Sequence, residues 1–179
     1  MTPIYTGRGD AGETDLLGGE RVMKDDLRIA ALGDVDELNT VIGVAMVAIK
    51  SKDTRIILQR VQDELFTVGA DLSVDPGNDI RLPKVEPSHI KRLEDDIARL
   101  SPEGVKKFII PGGSQEAAEL QFARAVARRA ERSAVKLFRS QPVNPYVIEY
   151  LNRLSTLLFV LALNVKRLSG REEEHPSYE

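Results

Sequence analysis

The sequence predicts an all-α protein, a single five-helix bundle with left-handed up-and-down packing. Three observations carry that expectation. Five segments place apolar residues three and four positions apart, the spacing of one helix face. Capping residues or glycine and proline bound most of these segments. No internal repeat with a period of roughly 20–50 residues is present, which sets aside solenoids and propellers. The chain divides into a glycine-rich N-terminal segment, residues 1–25, a helical domain, residues 26–170, and an acidic tail, residues 171–179.

The first helix lies between Asp26 and Lys50, with Leu38, Ile42, Ala45 and Ile49 as its stripe and Asp25 or Asp26 as its N-cap. The second carries Leu58, Val61, Leu65, Val68 and Leu72. The short polar break at Ser51 to Asp53 makes these two antiparallel neighbours. Residues 73–87 hold Pro76, Gly77, Pro83 and Pro87 without periodicity and read as a long surface or boundary loop. A third helix, from about Ser88 to Leu100, aligns Ile90, Leu93, Ile97 and Leu100. Val105 to Ile110 reads as extended, and Pro111-Gly112-Gly113 breaks the chain before Ser114, the cap of a fourth helix reaching Phe138. Its stripe of Leu120, Ala123, Ala127, Ala130, Ala134 and Leu137 is mostly alanine, so a neighbouring helix can approach closely. Asn144 and Pro145 form a cap-then-proline start for a fifth helix. Leu151, Leu154, Leu158, Leu161, Val165 and Leu168 make its core line, and Gly170 ends it. The nearly continuous apolar run from Leu157 to Leu163 calls for burial on several sides.

Composition removes several chemistries. The 179 residues are 42% hydrophobic and 30% charged, the profile of a globular chain rather than a disordered one. Lys and Arg number 25 against 28 Asp and Glu, so the net charge of -3 supplies no global field for nucleic acid or an anionic membrane. An anion site must therefore be local. The absence of cysteine excludes thiol nucleophiles, zinc–thiolate and iron–sulfur centres, and disulfides. Only two imidazoles remain: His89, expected on an exposed polar face, and His175 in the tail, which is expected to be solvated. With no apolar leader in Met1–Gly12, and with Leu157–Val165 shorter than a membrane span, a cytoplasmic location is expected.

Three polar constellations remain. Thr6-Gly-Arg-Gly-Asp-Ala-Gly-Glu-Thr14 contains G-x-G-x-x-G, but no adequate strand precedes it and Gly18-Gly19 follow, so it is not a dinucleotide fingerprint. No Gly-Lys-Ser/Thr triplet makes it a Walker loop. Its closely spaced glycines still let backbone amides approach a phosphate, with Thr6, Thr14 and Lys24 at hand; the alternative is a flexible terminus. On the fourth helix, Arg124, Arg128 and Glu131 share a face and are joined by Arg129 and Arg132. The stretch from Arg124 to Arg139 carries a local charge of +5. Guanidinium groups hold their charge and grip phosphate oxygens in pairs, although such a row also suits a solvated face. Asp34, Asp36 and Glu37 on the first helix are candidate counter-charges. On the fifth helix, Asn152, Ser155 and Thr156 interrupt a leucine-rich surface. Asn152 either reads an adenine edge or ribose, or is a satisfied core polar residue.

Thr6 to Thr14, Gly33-Asp-Val-Asp-Glu-Leu-Asn39, Phe108-Ile-Ile-Pro-Gly-Gly113, Arg124-Ala-Val-Ala-Arg-Arg-Ala-Glu-Arg132 and Tyr150-Leu-Asn-Arg-Leu-Ser155 occur in that order. Together they resemble the PduO-type ATP:cob(I)alamin adenosyltransferases over residues 4 to about 168. The resemblance implies a homotrimer of five-helix bundles with ATP between adjacent subunits. Thr6, Gly7, Arg8, Gly9, Thr14 and Lys24 would surround ATP, and Arg128, Arg129, Glu131, Arg132 and Asn152 would complete the pocket. Mg²⁺ would ride on the phosphates. Asp36 and Arg124 match the family pair that bridges subunits and, with Arg128, are the implied catalytic residues, whereas Phe108 would lie beside the lower face of cobalamin. The implied reaction is attack of cob(I)alamin on C5′ of ATP, giving adenosylcobalamin and triphosphate, so the nucleophile arrives with the substrate. Implied partners are ATP, a corrinoid, and a reductase or an adenosylcobalamin-dependent acceptor enzyme, with no nucleic acid and no membrane. The family often has Asp and Arg where this chain has Thr156 and Leu163. Two other readings are another ATP-dependent transferase and a non-catalytic trimeric nucleotide-binding bundle.

Overall fold

Asp26, Ser51, Ser114 and Asn144 each stand just before a helix, and each side chain accepts a first-turn backbone N–H. The donors are Arg28 at 2.7 Å, Thr54 at 3.3 Å, Ala117 at 3.1 Å and Tyr146 at 3.1 Å. These caps fix the starts of α1 (Leu27–Ala48), α2 (Lys52–Leu72), α4 (Gln115–Phe138) and α5 (Pro145–Leu168). The remaining helix, α3 (Pro87–Leu100), starts on a different device. The N–H of Glu86 donates to Nδ1 of His89 at 3.1 Å, so this half-buried histidine is a capping group rather than a simple exposed one. The computed structural model describes residues 4–74, 79–102 and 108–177. Expectations resting on Pro76 and Gly77, and on Val105 to Lys107, lie outside the described residues.

Packing runs in the order α2, α1, α4, α5, α3, with α2 also touching α5. The alanine stripe explains why α4 occupies the middle. Ala123, Ala127, Ala130 and Ala134 are fully buried, and they let α1 and α5 close on α4 from two sides. The apolar stripes of α1 and α2 are likewise buried, as are Leu151, Leu154, Leu158, Leu161 and Val165 of α5. Leu168 departs from the expected core line. It lies in the final turn of α5, where Lys50 and Glu116 line an open cleft, and it is 77% exposed. By length and hydropathy α5 could cross a membrane, but 61% of its most apolar window is buried in the bundle, as befits a core helix.

One polar network sits inside this core. Tyr150 is fully buried and donates its hydroxyl to Oε2 of Glu64 at 2.8 Å, while Oε1 accepts from Nη2 of Arg92 at 2.9 Å and faces Nε of Arg60 at 3.5 Å. Burial, and then the Glu64 charge, hold the Tyr150 pKa well above its ordinary 10.0. The folded state therefore keeps a proton that the unfolded chain releases. This contribution is intact below pH 10.0 and is lost as pH climbs above it towards the folded value. Thermal melts should show the midpoint falling above pH 10.0, and Tyr150→Phe should flatten that alkaline limb.

The N-terminal segment contains a small hairpin that the sequence reading did not anticipate. Strands β1 (Glu13–Asp15) and β2 (Arg21–Met23) pair antiparallel with Thr14 opposite Val22. Three residues per strand are too few to produce a legible alternation.

Candidate functional site

The glycine-rich segment is ordered by its own polar groups. Turns close from the N–H of Asp10 to the carbonyl of Gly7 and from that of Gly12 to Gly9, both at 3.2 Å. The hydroxyl of Thr6 accepts from the N–H of Arg8 at 3.4 Å, and Arg8 pairs with Asp15 at 3.2 Å. Arg21 locks the hairpin by reaching Glu13 at 2.9 Å and Asp15 at 3.3 Å. Lys24, just past β2, returns over the loop. A Cβ placed on Gly9 would lie 3.1 Å from its Nζ, so the ammonium packs closely over the bare glycine backbone. Thr6, Gly7, Arg8, Gly9, Thr14 and Lys24 are thus gathered in one surface segment.

The arginines of α4 divide between two neighbours because consecutive helix positions are turned by roughly 100°. Arg129 faces α1, where it pairs with Glu37 and with Asp34 at 3.2 Å, and Ser133 also donates to Asp34. Its hydrogen bond to Glu37 raises the guanidinium pKa, so it remains charged. Two of the three proposed counter-charges therefore serve Arg129. Asp36 is exposed on another face of α1, in a groove with Asn39, Gln62, Asp63 and Phe66. Among the described residues of one chain it makes no ion pair with Arg124, whose Nε instead donates to Gln121 at 2.7 Å.

Arg128 points the other way. Its Nη1 lies 3.4 Å from Oε2 of Glu131, and Oε1 of Glu131 accepts from the Asn152 amide at 2.8 Å, joining α4 to α5. Arg132 caps the turn by donating to the Arg128 carbonyl at 3.2 Å. An open cleft of about 380 Å³ lies beside this group, lined by Phe108, Ile109, Gln121, Arg124, Arg128, Ser155, Thr156 and Phe159. Phe108 is 80% exposed, more than Phe66 at 73%, Phe122 at 56% or Phe138 at 48%. The cleft so combines two aromatic rings, two guanidinium groups and two hydroxyls, and it suits a large ligand that is flat and apolar on one side and anionic on the other. Phe159 escaped notice in the sequence because it falls within the apolar run of α5. Gln121 gave no signal at all.

The loop bearing Phe108 is held at both ends. At one end the N–H of Ile110 donates to the carbonyl of Glu174 at 2.8 Å, and Nδ1 of His175 bonds the carbonyl of Phe108 at 2.8 Å. Glu173 pairs with Arg167 at 2.9 Å. The tail expected to be a solvated end is instead docked along the loop, although its side chains remain largely exposed. At the other end Gly113, at φ +92°, lies against the buried Lys166 side chain. A Cβ there would approach Cε to 2.5 Å, so both the backbone angle and the space call for glycine.

Among the described residues, no hydrogen bond or ion pair links the N-terminal segment to the arginine face of α4. One chain presents these two sets of candidate ATP ligands separately.

A family model described as cobalamin adenosyltransferase matches residues 4–165. The chain is 43% identical over 173 residues to a corrinoid adenosyltransferase of Mycobacterium leprae, covering 90% of each protein. It is 41% identical to a cobalamin adenosyltransferase of Cupriavidus metallidurans, over 95% of this chain and 91% of that one. A variant PduO-type ATP:corrinoid adenosyltransferase from Lactobacillus reuteri, solved with cobalamin and ATP, matches with a TM-score of 0.88 at 34% identity, covering 97% of this chain and 99% of that chain. A second variant of that enzyme, complexed with ATP, gives a TM-score of 0.88 at 36% identity over 97% and 100% of the two chains.

Proposed function

The chain belongs to the cobalamin adenosyltransferase family and is a corrinoid adenosyltransferase, and from that premise we propose how its residues carry the reaction. The substrates are ATP and cob(I)alamin, and the products are adenosylcobalamin and triphosphate. The observation that carries the assignment of residues is the single cleft shared by Phe108, Arg124 and Arg128. It sets the apolar flank of a corrinoid beside the cations needed for a polyphosphate.

The nucleophile is the cobalt itself. A one-electron reductase delivers the electron that converts cobalt(II) to cobalt(I). The cobalt(I) electron pair then forms the bond to C5′, and the C5′–O bond breaks with its electrons leaving on triphosphate. The protein therefore needs no nucleophile of its own. It must align the two reactants and stabilise negative charge that grows on the leaving group. Arg128 faces the cleft and serves that charge, with Arg132 one turn on. Phe108 and Phe159 keep water and other axial ligands from the lower face of the corrin. Asn152 holds the nucleoside through its link to Glu131.

The separation of the N-terminal segment from the α4 face supports an ATP site completed by a neighbouring subunit. Thr6, Gly7, Arg8, Gly9, Thr14 and Lys24 of one copy would then close on Arg128, Glu131 and Arg132 of the next. The exposed Asp36 would meet Arg124 across the same boundary in a homotrimer. Arg129, already paired with α1, would shape that boundary rather than touch phosphate. Among the described residues no cluster of three or more carboxylates or imidazoles could hold a metal alone. Mg²⁺ would arrive on the triphosphate, with the hydroxyls of Thr6 and Thr14 as hard oxygen donors on the N-terminal segment. Mg²⁺ supplies charge neutralisation there. A cytoplasmic location, with a reductase as partner, goes with this reading.

Purified protein given ATP, Mg²⁺ and chemically reduced cob(I)alamin should form light-sensitive adenosylcobalamin and one equivalent of triphosphate. Release of phosphate or diphosphate instead would overturn the proposed displacement.

A further inference from the structure

Asn152 is the amide joined to Glu131 at the candidate nucleotide site, and both of its ends are engaged. Its Nδ2 donates to Oε1 of Glu131 at 2.8 Å, and its Oδ1 accepts from Nη1 of Arg153 at 3.1 Å. The partners leave no ambiguity about which end is which, because a carboxylate only accepts and a guanidinium only donates. Arg153 is in turn anchored on α3, where its Nε donates to Oε1 of Glu94 at 2.8 Å, with Glu149 at 3.9 Å on its own helix. Glu131 is steadied from the other side by Arg128 at 3.4 Å. A chain of charges thus crosses three helices, Glu94 to Arg153 to Asn152 to Glu131 to Arg128, with a neutral amide at its centre.

We infer that Arg153 and Glu94 are positioning residues that share with Glu131 the task of holding the Asn152 amide in one orientation, and that this held orientation selects adenine over guanine. The inference rests on the nucleotide site proposed above. After its two bonds, the amide keeps one N–H and one oxygen lone pair. Adenine presents a donor at N6 beside an acceptor at N1, whereas guanine presents an acceptor at O6 beside a donor at N1. An amide free to turn over would satisfy either base. One held by a guanidinium and a carboxylate satisfies only one polarity while the triphosphate is fixed on Arg128. The ribose hydroxyls both donate and accept, so their recognition is indifferent to amide polarity. Arg153 and Glu94 keep 38% and 47% of their side-chain surface exposed. An exposed ion pair of this kind contributes little to folding, which separates its positioning role from a purely structural one.

The test compares wild type with Arg153→Met, Glu94→Gln and Arg153→Lys. Calorimetry reads the binding of Mg·ATP and Mg·GTP, and initial rates with reduced cob(I)alamin give kcat and KM. Arg153→Met should narrow the ATP-over-GTP preference about ten-fold, the size expected when one oriented base contact is lost. It should do so mainly by weakening ATP, with kcat kept within about threefold. Glu94→Gln should move the same way by less, and Arg153→Lys, which still donates, should recover most of the preference. An unchanged ATP/GTP ratio in Arg153→Met, or equal losses for the two nucleotides, overturns the inference. The two readings can fail separately. A wild type that discriminates between the nucleotides, with the discrimination lost in Arg153→Met, sustains this inference even if no adenosylcobalamin forms. Conversely, a wild type that makes adenosylcobalamin but binds both nucleotides alike refutes it and leaves the activity standing.

Discussion

Arg128→Ala is expected to lower turnover by about 10²–10³-fold, the range seen when one preorganised group facing developing negative charge is removed. The geometry argues for a catalytic loss without a folding loss. Half of the Arg128 side chain is exposed, its ion pair to Glu131 is long at 3.4 Å, and it lines the cleft rather than the core. Truncation removes a donor for the departing triphosphate. It also leaves the Glu131 carboxylate, 15% exposed, without its cation beside the place where negative charge must grow. Arg128→Lys should fall between the two, since an ammonium keeps the charge but cannot offer the two-pronged geometry. Initial rates at saturating ATP with chemically reduced cob(I)alamin, paired with thermal melts, decide the matter. Activity within a few-fold of wild type would remove Arg128 from the proposed role.

The largest effect on stability is expected at Glu64. Its carboxylate is 7% exposed and serves Tyr150, Arg92 and Arg60 at once, tying α5 and α3 to α2. Glu64→Ala removes the acceptor for a fully buried hydroxyl and the partner of Arg92, while Arg60 keeps its ion pair to Asp96 at 2.9 Å. Breaking a buried pair from one side costs about 3–5 kcal/mol, and the lower end applies because Arg60 and Arg92 both reach water. Urea unfolding should show the midpoint falling with little change in slope. Glu64→Gln keeps an acceptor for Tyr150 and should lose less. A midpoint unmoved by Glu64→Ala would show the network to be surface decoration.

The helices were legible in the sequence because each carried an apolar stripe, and α1, α4 and α5 carried a cap as a second, independent signal. Ser114 and Asn144 mark the starts of α4 and α5, and the alanine line signalled close approach of a neighbouring helix, whereas the structure places one on each side of α4. His89 was misread because its capping bond depends on the turn of chain before Pro87, and residue type does not report that. The arginine row was visible as charge, but its division was not. Whether Arg129 meets α1 or the cleft depends on the rotation of α4 about its axis, which packing sets. Phe108 stood out only through the family resemblance. Its partner Phe159 was hidden among core residues, since periodicity cannot say which apolar side chain of a buried helix looks into a cleft. The docking of the tail left no sequence signal, because backbone-to-backbone bonds such as the one from Ile110 to Glu174 are indifferent to side chains.

That last bond makes one amide a reporter. The strap over the Phe108 loop is mostly exposed, so it can open at much lower free energy than the buried helices, and such local openings govern the exchange of individual backbone protons. The Ile110 amide is hydrogen-bonded only while the tail is in place, whereas amides in the middle of α5 exchange only when the bundle opens. Deuterium uptake at Ile110 therefore measures the lifetime of the closed strap separately from global unfolding, two residues away from a carbonyl-to-imidazole contact at Phe108.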